Sequence, residues 1–179
     1  MNVLAFAATN STQSINKQFV QYAGALLQEH SAQVNYLDLN DYEMPLYSVD
    51  REQAGGIPQA AHDFYKAIGA ADAVVISFAE HNGNYTAAYK NIFDWTSRID
   101  MKVFQGKPVV FMAAAPGPGG AQSVLSIAKT SAPFFNANVV GDVSLPSFYD
   151  NFDAETGTVK HAEVNEKLKA VLKDLIAAA

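Results

Sequence analysis

Short apolar runs alternate along this chain with stretches of helical period, and that alternation leaves few folds open to it. Asn2–Ala7, Gln33–Leu39, Ala73–Phe78, Pro108–Ala114 and Ala137–Val143 read as strands. Between and after them, apolar residues recur at helical spacing. Ile15, Phe19, Tyr22, Ala23, Leu26 and Leu27 follow Ser14, which is placed as an N-cap. Ala61, Phe64, Tyr65 and Ile68 follow Pro58, a residue suited to a first helical turn. Ala88, Ile92, Trp95 and Ile99 make a third stripe, Val124, Ile127, Ala128 and Ser131 a fourth, and Val164, Leu168, Val171, Leu172 and Leu175 a fifth. Strands apolar on both faces need helices on both sides, so the expectation is a three-layer α/β domain around a five-stranded parallel sheet. Right-handed crossovers make it doubly wound. At 179 residues the chain is expected to be one domain, 1–179.

Composition narrows the chemistry. The chain contains no cysteine, which removes disulfides, thiolate metal sites and a cysteine nucleophile. Twelve basic residues against 18 acidic ones give a net charge of −6 with no basic run, so nucleic acid is not an expected partner. Met1–Ala8 carries no positive leader region. The longest uncharged stretch, Pro108–Ala128, is broken by Pro116, Gly117, Pro118, Gly119 and Gly120, which excludes a membrane helix there. A cytoplasmic protein with no membrane partner is the expectation.

In a doubly wound sheet, ligands bind beyond the carboxyl ends of the strands, at the switch in strand order. The loops after strands one, three and four are therefore the places to look. The first, Thr9–Asn16, holds Thr9, Asn10, Ser11, Thr12, Ser14 and Asn16 and runs straight into a helix start. Unpaired backbone N–H groups and the positive helix end suit an anion such as a phosphate there. Plain capping by Ser14 is the simpler alternative, but it needs only one such residue. The loop after strand three, Glu80-His81-Asn82-Gly83-Asn84-Tyr85, centres on an Asn-Gly turn that would expose backbone groups to a planar heterocycle. The loop after strand four, Ala115–Gly120, is made of small residues that would let a ring approach the backbone. Asn40–Gly56 shows no sustained period and reads as a long loop.

Other chemistries lack their residues. There is no Gly-x-Ser-x-Gly elbow, no His-Glu-x-x-His, and Gly106-Lys107 runs into Pro108 rather than a phosphate-loop hydroxyl. Gly117, Gly119 and Gly120 do not follow the first strand, where a dinucleotide fingerprint belongs. His30, His62 and His161 fall among polar helical positions and read as surface residues. Asp38, Asp41 and Glu43 lack calcium-loop spacing and read as a solvated strand end; no metal site is expected.

Taken together, the three loops resemble the NAD(P)H-dependent FMN reductase family of flavodoxin-like proteins, which includes quinone-, azo- and chromate-reducing members. The most specific stretch is Glu80–Tyr85 with Lys90-Asn91 and Asp94-Trp95 behind it, similar to the family's Pro-Glu-Tyr-Asn-Gly-Ser loop and Lys-Asn-x-x-Asp-Trp helix. Gly106-Lys107-Pro108-Val109 and Ser14-Ile15-Asn16 are similar to family segments as well. The resemblance implies strand order 2-1-3-4-5 and an FMN cofactor reduced by NAD(P)H as co-substrate. Electrons would then pass to a small-molecule acceptor such as a quinone or free flavin. It implies that Thr9, Ser11, Ser14, Ile15 and Asn16 surround the FMN phosphate. Glu80, His81, Asn82 and Gly83 would line the ring, and Ala115, Pro116 and Gly117 would form the opposite wall. Ser11 stands where the family usually has arginine, Ala79 where it has proline, and His81 where it often has tyrosine. No residue is assigned as a catalytic acid or base, although the imidazole of His81, beside the ring, could donate a proton to a reduced quinone oxygen. A flavodoxin-type electron carrier, inert to NAD(P)H alone, is the alternative. The resemblance further implies a homodimer or homotetramer, with Phe93, Trp95, Phe134 and Phe135 as candidate contact residues and the core as their simpler home.

Overall fold

A computed structural model describes residues 1–179. Its central sheet is parallel, with strands β1 (Asn2–Ala8), β2 (Gln33–Leu37), β3 (Ala73–Phe78), β4 (Pro108–Ala114) and β5 (Asn138–Leu145) in the order β2-β1-β3-β4-β5. Helices α1 (Ile15–Glu29) and α7 (Ala162–Ala178) cover one face, and α3 (Gln59–Ala70), α4 (Ala87–Thr96) and α5 (Gln122–Ser131) the other. Apolar clusters of 23 and 22 buried residues fill the two sides, so the interior strands β1, β3 and β4 are shielded from water on both faces, while the edge strand β2 stays partly exposed. Every residue of β3 and β4 is buried. The order expected from the resemblance is the order found. No helix is long and apolar enough to cross a membrane.

Departures from the sequence reading lie at element ends and in segments that bury little. Where the sequence pattern runs the second strand on to Leu39 with a long loop after it, Leu39–Tyr42 forms a 3-10 turn and Val49–Gly55 a two-turn helix, α2. Helix α2 buries none of its residues, so it has no apolar stripe for periodicity to reveal. Its ends are set by Ser48, whose hydroxyl accepts the Arg51 N–H at 3.2 Å, and by Gly56 at φ 74°. Strand β2 stops at Leu37, because Asp38 turns the chain by accepting the Asn40 N–H at 3.0 Å. Strand β5 begins at Asn138 and continues through the polar Ser144, whose hydroxyl donates to the Gly120 carbonyl at 2.6 Å. Beyond β5 lie α6 (Phe148–Asn151) and a hairpin of two-residue strands, β6 (Phe152–Asp153) and β7 (Thr158–Val159).

The strand ends are tied together by a residue of α1. The carboxamide of Asn16, 2% exposed, donates from Nδ2 to the Ala114 carbonyl at 3.1 Å. Its Oδ1 accepts the Ala114 N–H at 2.9 Å and the Ser77 hydroxyl at 2.8 Å. The β3–β4 register ends at Phe78 opposite Ala113, so Ala114 has no β3 partner and Asn16 takes that place. Asn16→Ala would leave three buried polar groups short of a partner. We expect a loss of about 3 kcal/mol, measured as a fall in the urea midpoint at unchanged slope. Asn16→Asp should also destabilise, because it sets an oxygen against the Ala114 carbonyl. Parent-like midpoints for both variants would show that the tie carries no stability.

Candidate functional site

The chain departs from β1 toward β2 on one side and later toward β3 on the other, so the switch in strand order lies between β1 and β3. A cleft of about 260 Å³ opens at the carboxyl ends of β1, β3 and β4. Of the residues singled out from sequence, Thr9, Ser11, Ser14, Ile15, Asn16, Glu80, His81, Ala115 and Pro116 line it. Asn82, Gly83 and Gly117 stand outside that lining, on the turns flanking it. Ala79, which stands where the family has proline, lines it as well, and so do Gln13, Ala114 and Tyr149, which no sequence argument assigns to the site. Tyr149 follows β5, and ending that strand at Val143 hid the loop that carries it. The signal that would have found it is the carboxyl-end rule applied to the true end, Leu145.

The first loop is built to leave donors free. The Thr9 hydroxyl oxygen accepts the Ser11 N–H at 3.2 Å, and the Ser14 hydroxyl oxygen accepts the Asn16 N–H at 3.1 Å, capping α1. Each hydroxyl therefore keeps its proton for another acceptor. The N–H groups of Thr12, Gln13 and Ile15 have no acceptor within the chain. Asn16 borders the cleft, but its carboxamide is committed to Ala114 and Ser77, so it positions α1 rather than offering its side chain to a ligand.

The second loop is a two-residue hairpin. His81 and Asn84 exchange backbone hydrogen bonds at 2.9 and 3.1 Å around Asn82 at φ 53° and Gly83 at φ 74°. Positive φ at both central positions is what an Asn-Gly turn of this kind requires. The N–H groups of Asn82 and Gly83 are left without acceptors in the chain. Helix α5 starts at Ala121, which offers no capping side chain; the Glu80 carboxylate fills that role by accepting the Val124 N–H at 2.9 Å. Gly120, at φ 60°, has no room for a Cβ, which would fall 2.2 Å from the Ser144 hydroxyl. On α4, Asn91 and Trp95 hold the segment before α2. Asn91 Oδ1 accepts the Tyr47 N–H at 2.8 Å, and Trp95 Nε1 donates to the Pro45 carbonyl at 2.7 Å. Trp95 is 1% exposed, and Phe93 packs edge-on against Phe135 at 4.6 Å; Phe134 alone of the candidate contact residues is strongly exposed.

No lysine or arginine lines the cleft. Lys17, the nearest cation in sequence, pairs with Asp38 at 2.6 Å. Partial burial pushes the Asp38 carboxyl up, but hydrogen bonds from Lys17 and Asn40 outweigh it and hold the group below the usual carboxylate range. Arg98 pairs with Glu52 at 2.9 Å, and Arg51 donates to the Leu46 carbonyl. An anion in the cleft would therefore meet neutral donors and the α1 terminus.

Comparison with known proteins agrees with this architecture. An NAD(P)H-dependent FMN reductase of Pseudomonas aeruginosa is 31% identical over 114 residues, 63% of this chain and 61% of that protein. A quinone reductase of Escherichia coli is 36% identical over 81 residues, 45% of this chain and 43% of the relative. Each match thus spans less than two thirds of the relative's length. Among solved structures, the flavoenzyme NAD(P)H:(acceptor) oxidoreductase FerB of Paracoccus denitrificans superposes with a TM-score of 0.76 at 20% identity, covering 99% of this chain and 96% of that one. Azoreductase AzrA gives 0.71 at 20% identity, covering 97% and 100%. The model of the NADPH-dependent FMN reductase family matches residues 1–150, and the chain belongs to that family.

Proposed function

We propose that this chain, acting as one domain, binds FMN non-covalently in the cleft and uses NAD(P)H to reduce small acceptors such as quinones or free flavin. The observation that carries the reading is the convergence of three donor-rich or small-residue loops on one cleft at the switch in strand order. The residues fit the cofactor. Free N–H groups at Thr12, Gln13 and Ile15 and hydroxyl protons at Thr9 and Ser14 suit a phosphate ester. Ala115 and Pro116 offer a wall without bulk, and the free N–H groups of Asn82 and Gly83 suit the imide edge of a ring. The chemistry that a flavin supplies when bound is electron transfer from a nicotinamide to an acceptor. His81 is exposed in the cleft with no side-chain partner, placed to hold or release a proton beside an acceptor oxygen.

Two experiments test this reading. FMN titrated into the protein should lose fluorescence, and NADH or NADPH under nitrogen should then bleach the flavin, with a quinone restoring its colour. A bound flavin left unbleached over minutes by both nucleotides would make the protein an electron carrier instead. Ser11→Arg should tighten FMN binding roughly tenfold, the worth of one charge-assisted hydrogen bond. The gain should shrink at high salt. Lys17→Ala should leave the affinity unchanged, because Asp38 already holds that cation. Calorimetry at low and high salt reads all three, and equal affinities for parent and Ser11→Arg would place the phosphate elsewhere.

The proposal extends to assembly and location: a homodimer or homotetramer in the cytoplasm. Phe134, 77% exposed, and Leu46, 68% exposed, are among the apolar side chains free for such contact, with Val49 and Met101. Light scattering at micromolar concentration should give at least twice the 19.3 kDa of one chain; a monomer mass would overturn the assembly.

A further inference from the structure

We propose that Tyr149 is a binding residue of the cleft, its phenol hydroxyl donating to the phosphate of the flavin nucleotide; this rests on the FMN reading above. Tyr149 lines the same cleft as Ser11, Gln13 and Ser14. Its backbone is held from several sides. The Ser147 N–H donates to the Gly117 carbonyl at 2.9 Å and the Phe148 N–H to the Ala115 carbonyl at 3.0 Å. Asn151 Nδ2 donates to the Pro146 carbonyl at 2.8 Å. Phe148, 2% exposed, stacks on Phe152 at 4.6 Å with the rings 18° apart. Ser147 adopts φ 47°, a left-handed conformation that a serine takes at a cost.

All of this fixes the backbone of Tyr149 while its side chain stays free. The side chain is 71% exposed, and Phe148 is the one aromatic ring it pairs with, edge-to-face at 5.7 Å. The turn gives Phe148 to the core, but displaying the Tyr149 side chain to solvent returns nothing to it. It does place a donor at a cleft that has no cation. A phenol is more acidic than the serine hydroxyls around it, hence a stronger donor, and it brings no charge that must be desolvated. Glu80, His81, Ala115 and Pro116 line the cleft too, but the Tyr149 segment leans on the α1 side, where the phosphate loop lies: Phe152 packs edge-on against Tyr22 of α1 at 6.5 Å, and Gln13 shares a hollow with both. The Asn82–Gly83 turn, with its free amides for the ring, stands outside the lining. That assigns the hydroxyl to the phosphate rather than the phenol face to the flavin.

The test uses FMN and riboflavin, which lacks the phosphate, titrated into the parent, Tyr149→Phe and Tyr149→Ala proteins with flavin fluorescence as the readout. Tyr149→Phe should weaken FMN about ten- to hundredfold and leave riboflavin unchanged, as the loss of one hydrogen bond to a charged group requires. Urea midpoints of the ligand-free proteins should coincide, since the side chain is exposed. Parent-like FMN binding by Tyr149→Phe overturns the proposal. So does equal weakening of FMN and riboflavin, which would put the ring rather than the hydroxyl in contact. Failure of the parent to bind FMN at all overturns the cofactor reading itself, and is told apart because no variant is then needed to see it.

Discussion

A parallel sheet runs out of hydrogen-bond partners where its strands end at different heights, and here that happens beneath the cleft. Ala114 extends one residue past the last β3–β4 pairing, at the point where β3 turns away into its loop. The Asn16 carboxamide supplies both a donor and an acceptor to that peptide group, and it accepts the Ser77 hydroxyl besides. Because Asn16 lies in the first turn of α1, the same three bonds set where the helix begins. The start of α1, the loop before it and the ends of β3 and β4 are thereby one unit. Buried polar groups left unpaired are costly, so the arrangement tolerates little slack.

The other loops around the cleft are joined by the same device, a side chain from one loop satisfying the backbone of another. The Thr86 hydroxyl donates to the Ala8 carbonyl at 2.9 Å while capping α4 through the Tyr89 N–H at 3.2 Å. Glu80 caps α5 across the cleft, and Ser144 and the Ser147 N–H fasten the β4–α5 loop to the end of β5. Each brace uses up a carbonyl or one helix-start N–H, and none takes the N–H groups of Thr12, Gln13, Ile15, Asn82 or Gly83. The donors that remain are held in place before any ligand arrives, which lowers the ordering cost of binding.

How far the fold could be read from sequence follows from burial. Strands β3 and β4 are buried on both faces, so their runs of Val, Ile, Phe and Met are nearly unbroken and their boundaries are legible to the residue. The stripes of α1 and α7 are legible for the same reason. Helix α2 buries nothing and writes no pattern. In the site, residue types announced the chemistry but not the division of labour. Asn16 and Ser11 look alike as polar loop residues, yet one is 2% exposed and structural while the other is open to solvent. That difference depends on the height at which β3 stops relative to β4, a relation between strands that local pattern does not encode. Tyr149 escapes because the sequence pattern ends the strand at Val143, before the polar Ser144, whose hydroxyl finds its partner 24 residues away at Gly120.

The absence of a cation from the cleft has a structural counterpart at Lys17. Its side chain is 19% exposed, with the ammonium turned to Asp38, which also accepts from the Asn40 backbone N–H and side chain. Asp38 thereby caps the 3-10 turn Leu39–Tyr42, whose Leu39 is buried beside α3 and α4. Taking Lys17 away to serve an anion would leave a partly buried carboxylate without its counter-ion and loosen that turn. The shift of Asp38 has the sign this account requires. A carboxyl whose value is lowered on folding adds stability that is fully present above its unfolded value and is lost only as pH falls through the folded one. The pair therefore persists through the neutral range, and across that range the first loop presents a ligand with hydroxyl and N–H donors that do not titrate.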